Sequence, residues 1–207
     1  SRLEIENWVA PTSRVVDLEG RSVVPGFVEN HIHMTNSPRR TWLDVGPSAV
    51  SSISELQNKV AKRAENLAPG QWIWGHGYHP ERLAEGRHPN RHDLDPSSPN
   101  NPVAIVHREG MGWTFNTPGL RRIGVQDDTP NPPGGPMHRD SDGAPLGPMF
   151  DNTRAVFVRP NLPGSTEDSL VEDYRWMLSQ MSCFGVTSAC EAAIRSAQET
   201  RAWGRLR

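Results

Sequence analysis

The sequence lacks the features that define several other protein classes. Its two cysteines, Cys183 and Cys190, are too few for a disulfide framework in 207 residues, so we expect reduced thiols and a cytoplasmic location. No apolar run approaches the ~18 residues of a membrane span, and the first residues contain no apolar signal segment. The net charge of −2 gives no electrostatic reason to expect nucleic acid or a membrane surface as a partner.

Large apolar residues are also scarce. Leu, Ile, Val and Phe make up about a fifth of the chain, near the lower limit for a self-sufficient hydrophobic core. The 18 glycines and 19 prolines exceed the usual share without reaching that of low-complexity sequences. The composition therefore predicts a loop-rich globular chain with a small core.

The N-terminal part contains short β-prone pieces and then one clear strand. Residues 14–18 and 22–24 are β-prone, and Pro25-Gly26 follows them as a turn. Residues 27–33 alternate apolar and polar side chains, which predicts a strand.

The next segment predicts a helix. Ser52 followed by Glu55 is a capping-box pattern, and Pro69-Gly70 ends the apolar periodicity. The apolar positions at spacings of three and four predict an amphipathic helix with a buried stripe: Val50, Ile53, Leu56, Val60, Ala64 and Leu67.

The remaining elements alternate between strands and helices. Residues 72–74 and 103–106 are apolar at every position, which is typical of strands buried on both faces. A second helix starts near Ser165, ends at Gly185 and leads into a buried strand at 186–189. We expect this helix to bury five side chains: Leu170, Tyr174, Met177, Met181 and Phe184. The alternation predicts βαβ units and a parallel sheet of about four strands.

The His31-Ile32-His33 triplet is the most specific chemical feature. Side chains two positions apart on a strand lie on the same face, so both imidazoles can reach one metal ion. Imidazole suits zinc and other first-row divalent ions. Two histidines at this spacing also occur by chance on half-exposed strands, so the triplet alone leaves both interpretations open.

The segments around the triplet carry a family resemblance. The segment RVVDLEGRSVVPGFVENHIH resembles the opening of amidohydrolase superfamily proteins. The later segments QWIWGHGYHPERL, NPVAIVHREG, NPPGGPMHRDSDGAPLGPMFDN and CFGVTSA resemble amidohydrolase family 3, the N-substituted formamide deformylase-like subgroup. These matches follow one another in order from about residue 14 to about residue 193.

The resemblance implies a fold. It predicts an α/β chain: a partial (β/α)8 TIM-type barrel, about the first four strands, preceded by a small β-sandwich remnant. The sandwich remnant is expected at 1–24 and the barrel part at 25–207, with a loop-rich insertion at about 75–164. A complete barrel has eight strands and about 250 residues, so this chain corresponds to the N-terminal part of a family member.

The resemblance also implies a metal-dependent hydrolase. His31 and His33 match the first-strand ligands of one or two divalent ions, usually zinc, in a centre where the metal activates water. Family members cleave C–N bonds of small amides and formamides rather than peptide bonds. Their bridging ligand, two later histidines and last-strand aspartate have no counterpart here, so we expect no catalytic residue and no activity in this chain alone.

Other residues are weaker candidates for the metal centre or substrate pocket. Glu191 and Cys190 follow a predicted strand, and His107 ends another. Met111 replaces a histidine that the family has at that position, which puts substrate binding in doubt. The alternative for Cys190 and Met111 is core packing. His76 and His79 follow the second predicted strand and are candidates for a metal or substrate role, with solvation as the alternative. His88, His92 and His138 lie in polar loops and are expected to be solvated.

Two further hypotheses belong to different classes. The first is a non-catalytic truncated product that acts as a binding or oligomerising remnant and has weak metal affinity. A half barrel would expose strand edges and an apolar face, so we expect self-association in either case. The second is an unrelated α/β binding domain, which leaves the ordered family matches unexplained.

Overall fold

A computed structural model of the chain describes residues 8–34, 39–161 and 164–206. The strands in these ranges are β1 (Phe27–Ile32), β2 (Leu43–Asp44), β3 (Ile73–Tyr78), β4 (Val103–His107), β5 (Trp113–Phe115) and β6 (Val186–Glu191). The α-helices are α1 (Ile53–Ala64), α2 (Arg91–Leu94), α3 (Thr117–Arg122), α4 (Asp151–Thr153), α5 (Glu167–Cys183) and α6 (Ala197–Gly204). No helix in the three described ranges is long and apolar enough to cross a membrane.

Four strands form a mixed sheet between two layers of apolar side chains. β2, β3 and β4 are parallel, and β5 runs antiparallel to β4. Val103 and Ile105 of β4 pack on the face that α1 covers, whereas Ala104 and Val106 pack on the opposite face. This alternation confirms the prediction of a strand buried on both faces for 103–106. In the run 72–74, Trp72 precedes β3, and Trp72 and Trp74 are only half-buried.

Helix α1 follows the predicted periodicity closely. Ile53, Leu56 and Val60 are buried against the sheet, and the Ser52 hydroxyl accepts a hydrogen bond from the Glu55 N–H. The Glu55 carboxylate accepts from the Ser51 N–H, at 2.6 Å, rather than completing the capping box at Ser52. The capping-box prediction is therefore correct for one of its two hydrogen bonds.

The remaining two strands form a sheet of their own. β1 pairs in parallel with β6, and Ile32 faces Glu191 in the register. Helices α5 and α6 pack against this pair through a third core, which includes Met34, Leu170 and Tyr174. The chain is thus a mixed α/β structure with one purely parallel and one mixed sheet.

The prediction of one parallel sheet of about four strands is wrong for the described residues. Two of those strands lie in the β1–β6 sheet and two in the sheet of β2 to β5. The short strands β2 and β5 escaped prediction because neither is long enough to show a period. Periodicity identifies strands but says nothing about which distant strand each one pairs with.

Two burial predictions are wrong. Phe184 is 79% exposed, and the predicted buried strand at 186–189 is exposed or half-buried along its length although its backbone pairs with β1. The β-prone pieces at 14–18 and 22–24 form no strand and are exposed. Burial of a side chain requires a partner surface, which a local sequence pattern does not identify.

Candidate metal centre

The two histidines of the triplet lie at the carboxyl end of β1. His31 is within the strand and His33 directly follows it. Their ring centroids are 5.0 Å apart, with the ring planes at 76°. Because β1 and β6 are parallel, the end of β6 reaches the same edge of the sheet, where parallel sheets place their ligands.

Glu191 occupies that end of β6, and its side chain is only 4% exposed. The carboxylate accepts hydrogen bonds from the Met34 N–H at 2.6 Å and from the Ala193 N–H at 2.9 Å. Its Oε1 lies 3.8 Å from Nδ1 of His33. Glu191 therefore joins the chain after β1 to the chain after β6 and places a buried negative charge beside one histidine.

The donor set fits a divalent metal of the kind that prefers imidazole. Imidazoles are common zinc ligands, and a carboxylate either binds zinc directly or hydrogen-bonds to a histidine that does. Within residues 8–34, 39–161 and 164–206, no group of three or more His, Cys, Asp or Glu side chains is already arranged to hold an ion. The described residues thus contain no complete metal site.

The weaker sequence candidates are distributed over both sheets. Cys190 is exposed and neighbours Glu191, but adjacent strand residues point to opposite faces. His107 ends β4, and Met111, 55% exposed, lies in the turn between β4 and β5. Neither His107 nor Met111 belongs to the sheet that holds His31 and His33.

A second group of histidines lies at the four-stranded sheet; sequence reasoning named His79 and His107 as separate weak candidates but did not predict that they meet. We call His79, His88 and His107 the histidine cluster. His107 lies with its ring centroid 5.6 Å from that of His79 and 5.9 Å from that of His88. Burial lowers the pKa of His88 and His107, which favours uncharged rings. The ring of His88, which the sequence predicts to be solvated, is half-buried and contacts the rings of Tyr78, His107 and Phe150.

The histidine cluster rests on the buried end of β3. The Tyr78 hydroxyl lies 3.0 Å from Nδ1 of His88 and 3.1 Å from the Thr114 hydroxyl. Burial raises the pKa of Tyr78 to about 12, so this hydroxyl keeps its proton. His76, earlier on β3, is also half-buried, and burial lowers its pKa while the nearby Asp44 opposes that change.

Comparison with known proteins identifies the family. The family model described as Amidohydrolase family matches residues 14–206, nearly the whole chain. This protein belongs to the amidohydrolase family. The resemblance predicted from the motifs is thereby confirmed, including its assignment to family 3.

Individual relatives agree with this assignment. The amidohydrolase chain is 30% identical over 149 residues to the N-substituted formamide deformylase of Arthrobacter pascens, covering 72% of the chain and 28% of that relative. It is also 30% identical over 147 residues to the protein LONG AFTER FAR-RED 3 of Arabidopsis thaliana, covering 71% of the chain and 25% of the relative. The chain thus spans less than a third of the length of either relative.

A solved structure shares the fold. An uncharacterized metal-dependent hydrolase from Pyrococcus horikoshii OT3 superposes with a TM-score of 0.58 at 20% identity, covering 99% of this chain and 38% of that one. The arrangement of the two sheets and their helices is therefore shared with part of that longer chain.

Proposed function

We propose that the whole protein is a metal-dependent hydrolase of small amide-type C–N bonds other than peptide bonds. The single observation behind this proposal is the meeting of His31, His33 and the buried Glu191 at the ends of two parallel strands. N-substituted formamides are the first substrates to test, because the deformylase relative is named for them. When bound, a divalent metal supplies Lewis-acid polarisation of the carbonyl and lowers the pKa of water.

The residues of this chain have distinct parts in that proposal. His31 and His33 bind the metal, which we expect to be zinc, through imidazole nitrogens. The carboxylate of Glu191 beside Nδ1 of His33 favours the tautomer with its proton on Nδ1 and its lone pair on Nε2. Its two backbone hydrogen bonds fix the carboxylate, so Glu191 is a positioning residue.

The β1–α5–β6–α6 succession is the part of the proposed barrel that this chain supplies. A catalytic zinc has three protein ligands, so further ligands and the proton-accepting group must come from elsewhere in the whole protein. We therefore propose that the 207 residues alone bind metal but do not turn over an amide.

Zinc binding to the 207-residue chain tests the assignment directly. The His31→Ala/His33→Ala variant is expected to lose one equivalent of zinc in equilibrium dialysis. Glu191→Ala is expected to weaken that equivalent about 10–100-fold, the usual effect of removing the group that orients a ligand histidine. His92→Gln, an exposed histidine on α2, is the matched control.

The same stoichiometry in wild type and in His31→Ala/His33→Ala would contradict the proposed centre. For the whole protein, release of formate from an N-substituted formamide measures the reaction. A whole protein that binds zinc at this centre but hydrolyses no small amide or formamide would refute the proposed activity and leave the metal assignment intact.

A further inference from the structure

The histidine cluster lies at the carboxyl ends of β3 and β4, in the four-stranded sheet rather than beside His31 and His33. Carboxyl ends of parallel strands are where α/β sheets bind ligands. The proposed hydrolase centre makes no use of these three rings.

The spacing of the rings suits a shared metal ion. With metal–nitrogen distances of about 2.0–2.1 Å, each ring centroid lies about 3.2 Å from the ion, so two ligating imidazoles have centroids about 5–6 Å apart. The separations of 5.6 Å and 5.9 Å from His107 to its two neighbours are within that range. For the three rings to share one ion, side-chain rotation has to bring the nitrogens of His79 and His88, which both neighbour His107, to one point.

One buried ring nitrogen of the histidine cluster makes no hydrogen bond in the described part of the chain. In the described part of the chain, Nδ1 of His79 is buried and accepts or donates no hydrogen bond. Leaving such an atom unsatisfied is costly, and an ion absent from the coordinates is one established reason for it. A metal bound at Nδ1 would satisfy this atom.

The support behind His88 is of the kind that metal-binding histidines have. Its Nδ1 can donate to the Tyr78 hydroxyl, which in turn donates to the Thr114 hydroxyl. That chain of donors leaves the lone pair of the His88 ring on Nε2. Tyr78 and Thr114 are both fully buried, so the support is rigid.

We propose that His79, His88 and His107 form a second site, for a divalent cation of the class that prefers imidazole, with zinc as the representative ion. As already described, no group of three such side chains among the described residues is yet arranged around one point, so the rings rotate when the ion binds. The hydrogen bond from the Glu109 N–H to Nδ1 of His107, at 3.3 Å, is lost on binding. The NMR signal of the Glu109 amide is therefore expected to change when an ion binds to the histidine cluster.

The test uses zinc alone and the 207-residue chain with His31 and His33 both replaced by Ala. This variant is expected to bind one equivalent of zinc in competition with a chromogenic chelator. Adding His88→Gln or His107→Gln is expected to weaken that binding at least tenfold, and adding Tyr78→Phe about tenfold. Adding His92→Gln is expected to change nothing.

NMR provides a second measurement. Zinc is expected to shift the ring nitrogens of His79, His88 and His107 and the amide of Glu109. Each variant is melted in the presence of a chelator, so that loss of binding is separated from loss of folding.

Two results would overturn the second site. One is a folded His31→Ala/His33→Ala variant that binds no zinc. The other is residual zinc binding that survives His88→Gln and His107→Gln combined. Both results would leave the proposed hydrolase centre untouched, because that centre is tested by the equivalent lost on replacing His31 and His33.

Discussion

Asn116 holds the mixed sheet to its surrounding loops, and its replacement by alanine should be strongly destabilising. The side chain is completely buried. Its Oδ1 accepts from the Val103 N–H and the Gly119 N–H, both at 2.8 Å. Its Nδ2 donates to the carbonyls of Ser98 and Asn101, both at 2.9 Å.

Asn116→Ala removes four hydrogen bonds and leaves their backbone partners buried. At about 1 kcal/mol for each net hydrogen bond, the free energy of unfolding is expected to fall by about 4 kcal/mol. The Gly119 N–H belongs to the first turn of α3, so the loss includes the N-cap of that helix. Few single substitutions cost this much.

Urea unfolding followed by tryptophan fluorescence measures the effect. Asn66→Ala is the matched control, because Asn66 is an exposed asparagine with one hydrogen bond, to the Lys62 carbonyl. The control is expected to change the free energy of unfolding by less than about 0.5 kcal/mol. A loss below about 1 kcal/mol for Asn116→Ala would refute the reasoning, because it would mean that the two N–H groups and the two carbonyls find water or other hydrogen-bond partners.

Two further predictions concern packing and pH. A Cβ on Gly112 would meet the ring of Phe150 at 2.2 Å, so Gly112→Ala is expected to lower the free energy of unfolding by about 1–3 kcal/mol in urea titrations. Gly164→Ala is the control, because a Cβ on Gly164 would meet no atom within 4 Å. Equal effects of the two substitutions would contradict the packing argument. Burial lowers the pKa of His76 and His107 below their ordinary value of 6.5, so the folded chain disfavours their protonation. The contribution of these two neutral rings to stability is therefore complete above pH 6.5 and is lost as the pH falls toward the lowered pKa values. The urea midpoint, measured with a chelator present, is expected to decrease when the pH is lowered from about 7.5 to about 5.5, and to decrease less in His76→Asn. A constant midpoint would argue against burial of these rings.

Local patterns proved reliable wherever a single element determined the outcome. The periodicity of α1 could be predicted because the period of buried side chains is a property of the helix. The segments that form β1, β3 and β4 were likewise identified as strands, and β4 as one buried on both faces. The family resemblance was based on sequence motifs next to these elements. It does not depend on which strands pair, so the errors in strand pairing did not affect it.

Apart from the strands β2 and β5, which are too short to show a period, the main errors concern contacts between distant segments. Residues 39–161, between β1 and the helix that precedes β6, include a separate sheet, so the two strands that pair lie far apart in the sequence. The exposure of Phe184 and the half-buried state of His88 depend in the same way on which surfaces meet. Apolar character predicts that a side chain tends to be buried. Which residues cover it depends on segments that are distant in the sequence and come together only in the folded chain.

The sequence by itself determined that His31 and His33 lie two positions apart at the carboxyl end of a strand, His31 within β1 and His33 directly after it. It also determined helix α5, which packs against that strand, and the membership of the amidohydrolase family. Only the tertiary structure decided that Glu191 is buried beside His33 and that His79, His88 and His107 gather at one edge of another sheet. To bring these residues together, the chain must close long loops, which costs conformational entropy. The packing of the two segments that meet supplies the free energy that selects one loop closure over another.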